Sequence, residues 1–335
     1  MKRFAFALAA LALAACGGSA RSEVRPVQIR VVAAPVPLDA ASPAAQRAGA
    51  FVYAGGLWLK SPDEPGFGGL SDLKVDAGGA LVSESDEGGL LRAHIVLDRM
   101  GRLAGLSGAT FELLRGRDGR PLHSKHEADA EGVAVWPNSD LVVSFEHDHR
   151  IWRYPADGGP PRDMPMPDID MPPNQGMEGL ALAASQGPGA YWVGVEGGSI
   201  WLCRDNRGCE QWRGLMAPPP GFRLTALGET PTGELVILHH SFNPLSQQTR
   251  VQASIVTIPR APQGPSRLTA QLQLAPPLTV DNLEGVAAVA APNGGLRLYL
   301  ISDDNFSDRQ RTLLLAFDLS GPGAAKSSAR LPPPH

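Results

Sequence analysis

The sequence predicts an all-β chain folded as a single β-propeller, and three observations carry that prediction. The first is a recurring Glu-Gly pair, at Glu131-Gly132, Glu178-Gly179 and Glu284-Gly285, each opening an apolar run of strand character such as Val133-Ala134-Val135-Trp136. The second is the order of residues after each pair: a turn, a second apolar run, and then another acid, at Glu146, Glu196 and Asp303. Two weaker copies keep the same phase, one from Ser71 to Asp86 and one from Thr225 to His240. The five starts lie 60, 47, 47 and 59 residues apart, a period of the size expected for propeller blades. The third is composition. Gly (38) and Pro (31) are too abundant for long helices and suit many short strands joined by tight turns.

At the N-terminus, Lys2-Arg3, the apolar run from Phe4 to Ala12 and Leu13-Ala14-Ala15-Cys16 form an address, a lipoprotein signal peptide spanning residues 1–16. Cys16 is the expected lipidation site, and Gly17 behind it points to the outer membrane, facing the periplasm. Several acyl chains on one cysteine anchor stably where one would not. The expected membrane contact is through that anchor alone, since no later stretch is long and apolar enough to span. Residues 17–50 read as a tether and a first strand, with the propeller over 51–320 and a Gly/Ala/Ser/Pro-rich, frayed tail over 321–335.

Each blade needs about four strands. The fifth repeat shows three before the chain ends, so a strand at Phe51–Lys60 is expected to supply the fourth and close the ring, leaving few exposed edges. Five repeats are visible, and a sixth degenerate blade is compatible with the length. The Trp residues at 136, 152, 192 and 201 fall on expected strands and read as blade packing.

Net charge is −4, so no nucleic-acid partner is indicated. Beyond Cys16 only Cys203 and Cys209 remain, separated by a turn-rich pentapeptide; in an oxidising compartment they are expected to form a disulfide. No Gly-x-Ser-x-Gly, P-loop, dinucleotide fingerprint or His-Glu-x-x-His occurs.

In a propeller the innermost strand of every blade starts at one mouth of the central channel. Glu131, Glu178 and Glu284 are therefore expected to converge there, with Glu196 beside them as a fourth metal ligand. Hard oxygen donors in irregular number suit Ca²⁺ better than Zn²⁺. Glu146, His240 and Asp303 end second strands at the same mouth and are the candidate catalytic residues, positioned to hold an attacking water or a proton. The competing reading of these acids is that they cap turns and keep the blade rims solvated.

The pieces Gly55-Gly56-Leu57, Phe67-Gly68-Gly69-Leu70-Ser71, Asp129-Ala130-Glu131-Gly132-Val133-Ala134, Met177-Glu178-Gly179-Leu180-Ala181 and Leu283-Glu284-Gly285-Val286 resemble the bacterial family described by esterase-like activity of phytase. The resemblance runs from about residue 50 to 320. It implies a β-propeller and a calcium-dependent phosphoester or ester hydrolase acting on a small phosphorylated or ester substrate. Phytate itself fits less well, because six clustered phosphates call for many cations and only Arg92, Lys125, Arg150 and Arg309 fall in suitable loops. The alternative class is a non-enzymatic, lipid-anchored propeller that binds a ligand of the cell envelope.

Overall fold

The computed structural model describes residues 26–292 and 294–320. The expected lipoprotein signal with Cys16, the expected tether up to residue 25 and the expected tail 321–335 lie outside the described residues. Five antiparallel sheets are arranged in a ring, a five-bladed propeller. Helix among the described residues is limited to Lys125–Ala128 and a 3₁₀ turn at Ala184–Gln186.

Each sheet is a meander that starts innermost. Blade 1 runs Leu70–Val75, Ala80–Ser85, Gly89–Leu97 and Leu103–Leu113; blade 2 runs Ala130–Val135, Leu141–Phe145, Arg150–Tyr154 and Arg162–Asp163. Blade 3 consists of Gly179–Leu182, Ala190–Gly194, Ile200–Arg204 and Gly208–Gln211, and blade 4 of Arg223–Glu229, Glu234–Asn243, Gln248–Thr257 and Leu268–Leu274. Blade 5 takes Leu283–Ala290, Leu296–Ser302 and Leu313–Leu319 from the C-terminal part of the chain and Phe51–Lys60 from the N-terminal part. Leu313 pairs with Trp58 and Leu319 with Phe51, so the N-terminal strand closes the ring as the repeat count requires.

The segment before that strand packs onto the propeller as well. Val27–Gln28 adds to the outer edge of blade 1, whereas Val32–Pro35 adds outside Phe51–Lys60 on blade 5. Leu38 is fully buried. The interface between the first and last blades is therefore latched on both sides.

Strand alternation explains the core. On blade 4, Leu227, Leu235 and Ile237 face blade 3, while Ala226, Val236 and Leu238 face blade 5. The same period-two pattern gives one apolar cluster at each of the five interfaces between blades. Trp192, fully buried, meets Trp212 edge-on at 5.1 Å in the blade 3–4 cluster, and Trp136 meets Tyr191 at 5.7 Å between blades 2 and 3. Cys203 and Cys209 face each other in register across a blade 3 hairpin and are disulfide-bonded.

Candidate active site at the channel mouth

The inner strands share a local defect that aims side chains into the channel. Ladder pairing skips one residue near the start of blades 1, 2, 4 and 5: Ser71, Glu131, Thr225 and Glu284. Each is the extra residue of a β-bulge, which releases it from pairing and re-aims its side chain. On blade 3 the ladder begins at Gly179, leaving Glu178 just ahead of it. The second half of the repeat is tied to the first by one hydrogen bond. The backbone N–H groups of Asp86, Glu146, Glu196 and Asp303 donate to the carbonyls of Gly69, Asp129, Gly176 and Asn282, each two residues before the strand-start position. The acid ending a second strand is thereby drawn over the acid opening the first.

The glycines of the Glu-Gly pairs are required by close approach of the blades. A Cβ on Gly132 would lie 2.8 Å from the Glu178 carbonyl oxygen, and one on Gly179 would lie 3.0 Å from the Leu227 nitrogen. On Gly285 it would meet the Asp72 Cα at 2.8 Å. Each glycine is pressed by the inner strand of the next blade round the ring.

The result is a cavity of about 370 Å³ at the channel mouth. Glu131, Glu178, Glu284 and Ser71 line it from the strand starts, with Asp86, Glu146 and Asp303 from the strand ends. Lys125, Asp129, His147, Asn174 and Asn305 complete the wall. Seven carboxylates thus face one space, and Lys125 is the sole lysine or arginine among the described lining residues.

Burial and mutual repulsion favour the neutral form of most of these carboxyls. Glu131 is pushed well above the usual value by burial and then by Glu178, Asp129 and Glu284. Burial followed by Glu146 and Glu196 does the same for Glu178, and burial followed by Asp303 and Glu178 for Glu284. Glu146 is raised to about 7 by burial and by Asp129, and Asp303 to about 7 by burial and by Asp86.

Asp129 and His147 form the other half of the site. His147 has φ 55°, a left-handed conformation that is uncommon outside glycine. That turn comes directly after Glu146 and brings His147 Nε2 within 3.1 Å of Asp129 Oδ2. One ligand atom each from Asp129, Glu146 and His147 lie within 4.8 Å of one another, a mixed oxygen and nitrogen donor set. Lys125 Nζ lies 2.5 Å from Asp129 Oδ1 and 2.5 Å from Asp86 Oδ2.

Below the mouth, Asp72 is fully buried and joins three blades. It accepts bonds from Lys74 Nζ at 2.5 Å, from Val133 N on blade 2 at 3.2 Å and from Val286 N on blade 5 at 3.4 Å.

Of the sequence candidates, the cavity brings together Glu131, Glu178, Glu284, Glu146 and Asp303. Glu196 and His240 are not in its wall. Glu196 is near enough to raise Glu178 but is engaged by the Arg223 guanidinium, which draws it toward blade 4. His240 lies opposite Arg223 in the blade 4 ladder, with Nε2 buried and without a partner in the structure, and burial pushes it down to about 4. His123 and His126 are exposed, and His126 stacks on His147 at 5.9 Å. Asp129 and Asn174 hold site positions that the repeat acids alone did not mark. Asp129 had a readable signal, because it opens the Asp129-Ala130-Glu131-Gly132 piece that carries the family resemblance.

Fold and site define a five-bladed propeller with an acidic pocket at one mouth of its channel. Within that class the chain belongs to the phytase-like family, described by esterase-like activity of phytase, whose model matches residues 65–306. No curated protein matches the chain. Among solved structures it is similar to a gluconolactonase of Xanthomonas campestris (TM-score 0.43, 16% identity, 88% of this chain and 97% of that one). It is also similar to the Malassezia sympodialis allergen Mala s 1 (0.47, 12%, 82% and 91%) and to virginiamycin B lyase from Staphylococcus aureus (0.42, 10%, 87% and 100%). At these identities no chemistry carries over from those proteins.

Proposed function

We propose that the channel mouth is the active site of a divalent-cation-dependent hydrolase of phosphoesters or carboxylic esters. The observation that carries this is the convergence of seven carboxylates from four blades on one cavity. Carboxyls that raise one another's pKa in this way are an oxygen cage suited to a cation. Hard donors predominate, which favours Ca²⁺, with the imidazole of His147 widening the range toward Mn²⁺ or Zn²⁺.

Glu131, Glu178 and Glu284 would hold the cation, with Asp129, Glu146 and His147 next to them. A cation bound there would polarise the ester oxygen and lower the pKa of an attendant water. The rest falls to the chain. Glu146 and Asp303 end second strands at the mouth, where burial and neighbouring carboxylates raise both in the metal-free chain, and they are placed to take a proton from water and return one to a leaving oxygen. Asp129 orients His147 through their contact. Asn174 and Asn305 offer neutral donors for substrate oxygens. One lysine against seven carboxylates argues for a single ester group rather than a polyphosphate such as phytate. In this reading Cys16 anchors the propeller by lipid to the outer membrane on the periplasmic side, and a Cys16→Ser chain should leave the membrane fraction.

The test is turnover of 4-nitrophenyl phosphate and 4-nitrophenyl acetate after chelation and after adding back Ca²⁺, Mn²⁺ or Zn²⁺. Activity should vanish on chelation, return with the ion, and fall at least about 100-fold in Glu178→Gln, the scale of losing one electrostatic anchor. Ion binding without turnover of either ester would favour the envelope-binding propeller instead.

A further inference from the structure

We infer that the ammonium of Lys125 stands in a second cation position, between Asp86 and Asp129, which a divalent ion takes by displacing the lysine. The inference rests on the metal-dependent reading above, shares Asp129 with it, and adds Asp86 and the displacement of Lys125. Three oxygens surround Nζ: Asp86 Oδ2 at 2.5 Å, Asp129 Oδ1 at 2.5 Å and the Asp86 carbonyl at 3.1 Å. They come from two blades, and all three are of the donor type a hard cation prefers. The second Asp86 oxygen, Oδ1, is buried and has no hydrogen-bond partner among the described residues, so a ligand atom is left over on the same carboxylate. When both carboxylates are ionised they carry one charge more than the ammonium neutralises, and a divalent ion would match the pair.

The two sides of this contact differ in how freely they move. The backbone carrying each carboxylate is tied: Asp86 N donates to the Gly69 carbonyl, and Asp129 N to the Lys125 carbonyl. The Asp129 side chain is 2% exposed. Lys125 is 48% exposed at its side chain and opens the one-turn helix Lys125–Ala128. Arg150 holds that turn from below, donating to the Glu127 carbonyl while its guanidinium stacks on Phe145 at 3.9 Å and Trp152 at 4.3 Å. The lysine's four-carbon stem can therefore swing out while backbone and carboxylates stay in place. Ion loading would then return a free ammonium to the rim, beside the route of an anionic substrate.

The experiment uses the purified full chain with Mn²⁺ and Ca²⁺. Binding stoichiometry is measured by calorimetry, and acetylation of Lys125 by acetic anhydride is followed by peptide mass spectrometry against Lys60 as the internal standard. Saturating ion should raise Lys125 labelling several-fold. Lys125→Met should tighten one of two binding events about tenfold, as expected on removing a tethered competitor, whereas Lys125→Arg should not. Ion binding with Lys125 labelling unchanged or reduced, or weaker binding in Lys125→Met, overturns the displacement while leaving the glutamate site intact. No ion bound by either protein overturns the metal-dependent reading as well. If Lys125→Met does not fold, the labelling of the wild-type chain still decides.

Discussion

Blade 4 and the other four blades share one frame and differ in chemistry. Thr225 occupies the same bulge as Ser71, Glu131 and Glu284, and Arg223 pairs with His240 where the other blades tie the residue two before the strand start to the acid. Yet blade 4 places Thr225-Ala226 where the three strong copies have Glu-Gly, and Arg223 and His240 where Asp129 and Glu146 stand on blade 2. The bulge is a property of the fold, and the charge it presents is a property of the site. Blade 4 contributes no residue to the cavity wall; it carries two buried histidines held neutral by burial and one guanidinium, and that guanidinium takes Glu196 out of the carboxylate group.

The largest effect should come from the glycines that blade 4 dispenses with. Gly285→Ala puts a Cβ 2.6 Å from Ile301 Cγ2 and 2.8 Å from the Leu73 nitrogen, and backbone cannot yield as a side-chain end can. A loss of about 3 kcal/mol is expected in urea unfolding. Ala226→Gly, at the equivalent place on blade 4, should cost about 1 kcal/mol or less. Equal losses at the two positions would mean that close approach is not what selects glycine here.

Next in size is the response to metal. In Glu178→Gln the affinity for Ca²⁺ should fall at least about tenfold, while the metal-free protein should melt higher, because one repelled carboxylate is gone. Glu196→Gln, already paired with Arg223, should change affinity far less. Calorimetry and thermal unfolding read both.

Much of this contrast was legible in the sequence. The period, the Glu-Gly pairs and the closing strand at Phe51–Lys60 come from local pattern alone, because each blade repeats the same strand-turn-strand physics. The convergence of Glu131, Glu178, Glu284, Glu146 and Asp303 came from phase. What phase could not show is which way a side chain leaves the rim. Glu196 turns on the guanidinium of a neighbouring strand, and His147 reaches Asp129 only through a left-handed φ at a non-glycine residue. Both depend on contacts between segments far apart in sequence. A first strand was expected within residues 17–50, but its division between the outer edges of blades 1 and 5 was hidden for the same reason.

The pH dependence sets the two regions against each other. Asp86, Glu131, Glu146, Glu178, Glu284 and Asp303 have folded pKa values above their unfolded ones, so their contribution is complete below about 4.3 and is lost as pH rises through the folded values, about 7 for Glu146 and Asp303. His239 and His240 are pushed down to about 4, so their contribution is present above about 6.5 and lost as pH falls toward 4. The carboxyls outnumber the histidines, so the melting temperature of the metal-free protein should fall by several degrees between pH 5 and 8. His240→Asn should steepen that fall, and saturating Ca²⁺ should flatten it. A metal-free melting temperature that rises with pH would show that the mouth is not an assembly of strained carboxyls.

The smallest effect is expected where the two regions are made alike. Thr225→Glu installs a fourth glutamate at the shared bulge, where the Thr225 hydroxyl is buried and makes no hydrogen bond in the structure. If carboxylate count alone set the affinity, this variant would bind Ca²⁺ more tightly. Arg223 lies two residues away in the same strand, however, and already holds Glu196, so it is placed to neutralise a glutamate at 225 as well. The Ca²⁺ affinity should therefore stay within about threefold of wild type, less than about 1 kcal/mol. The double change Thr225→Glu with Arg223→Asn should release both Glu196 and the new carboxylate toward the channel and tighten binding beyond that range. Tightening by the single variant would instead mean that the guanidinium does not shield this wall, and that blade 4 differs from the others only in the residue it carries at the bulge.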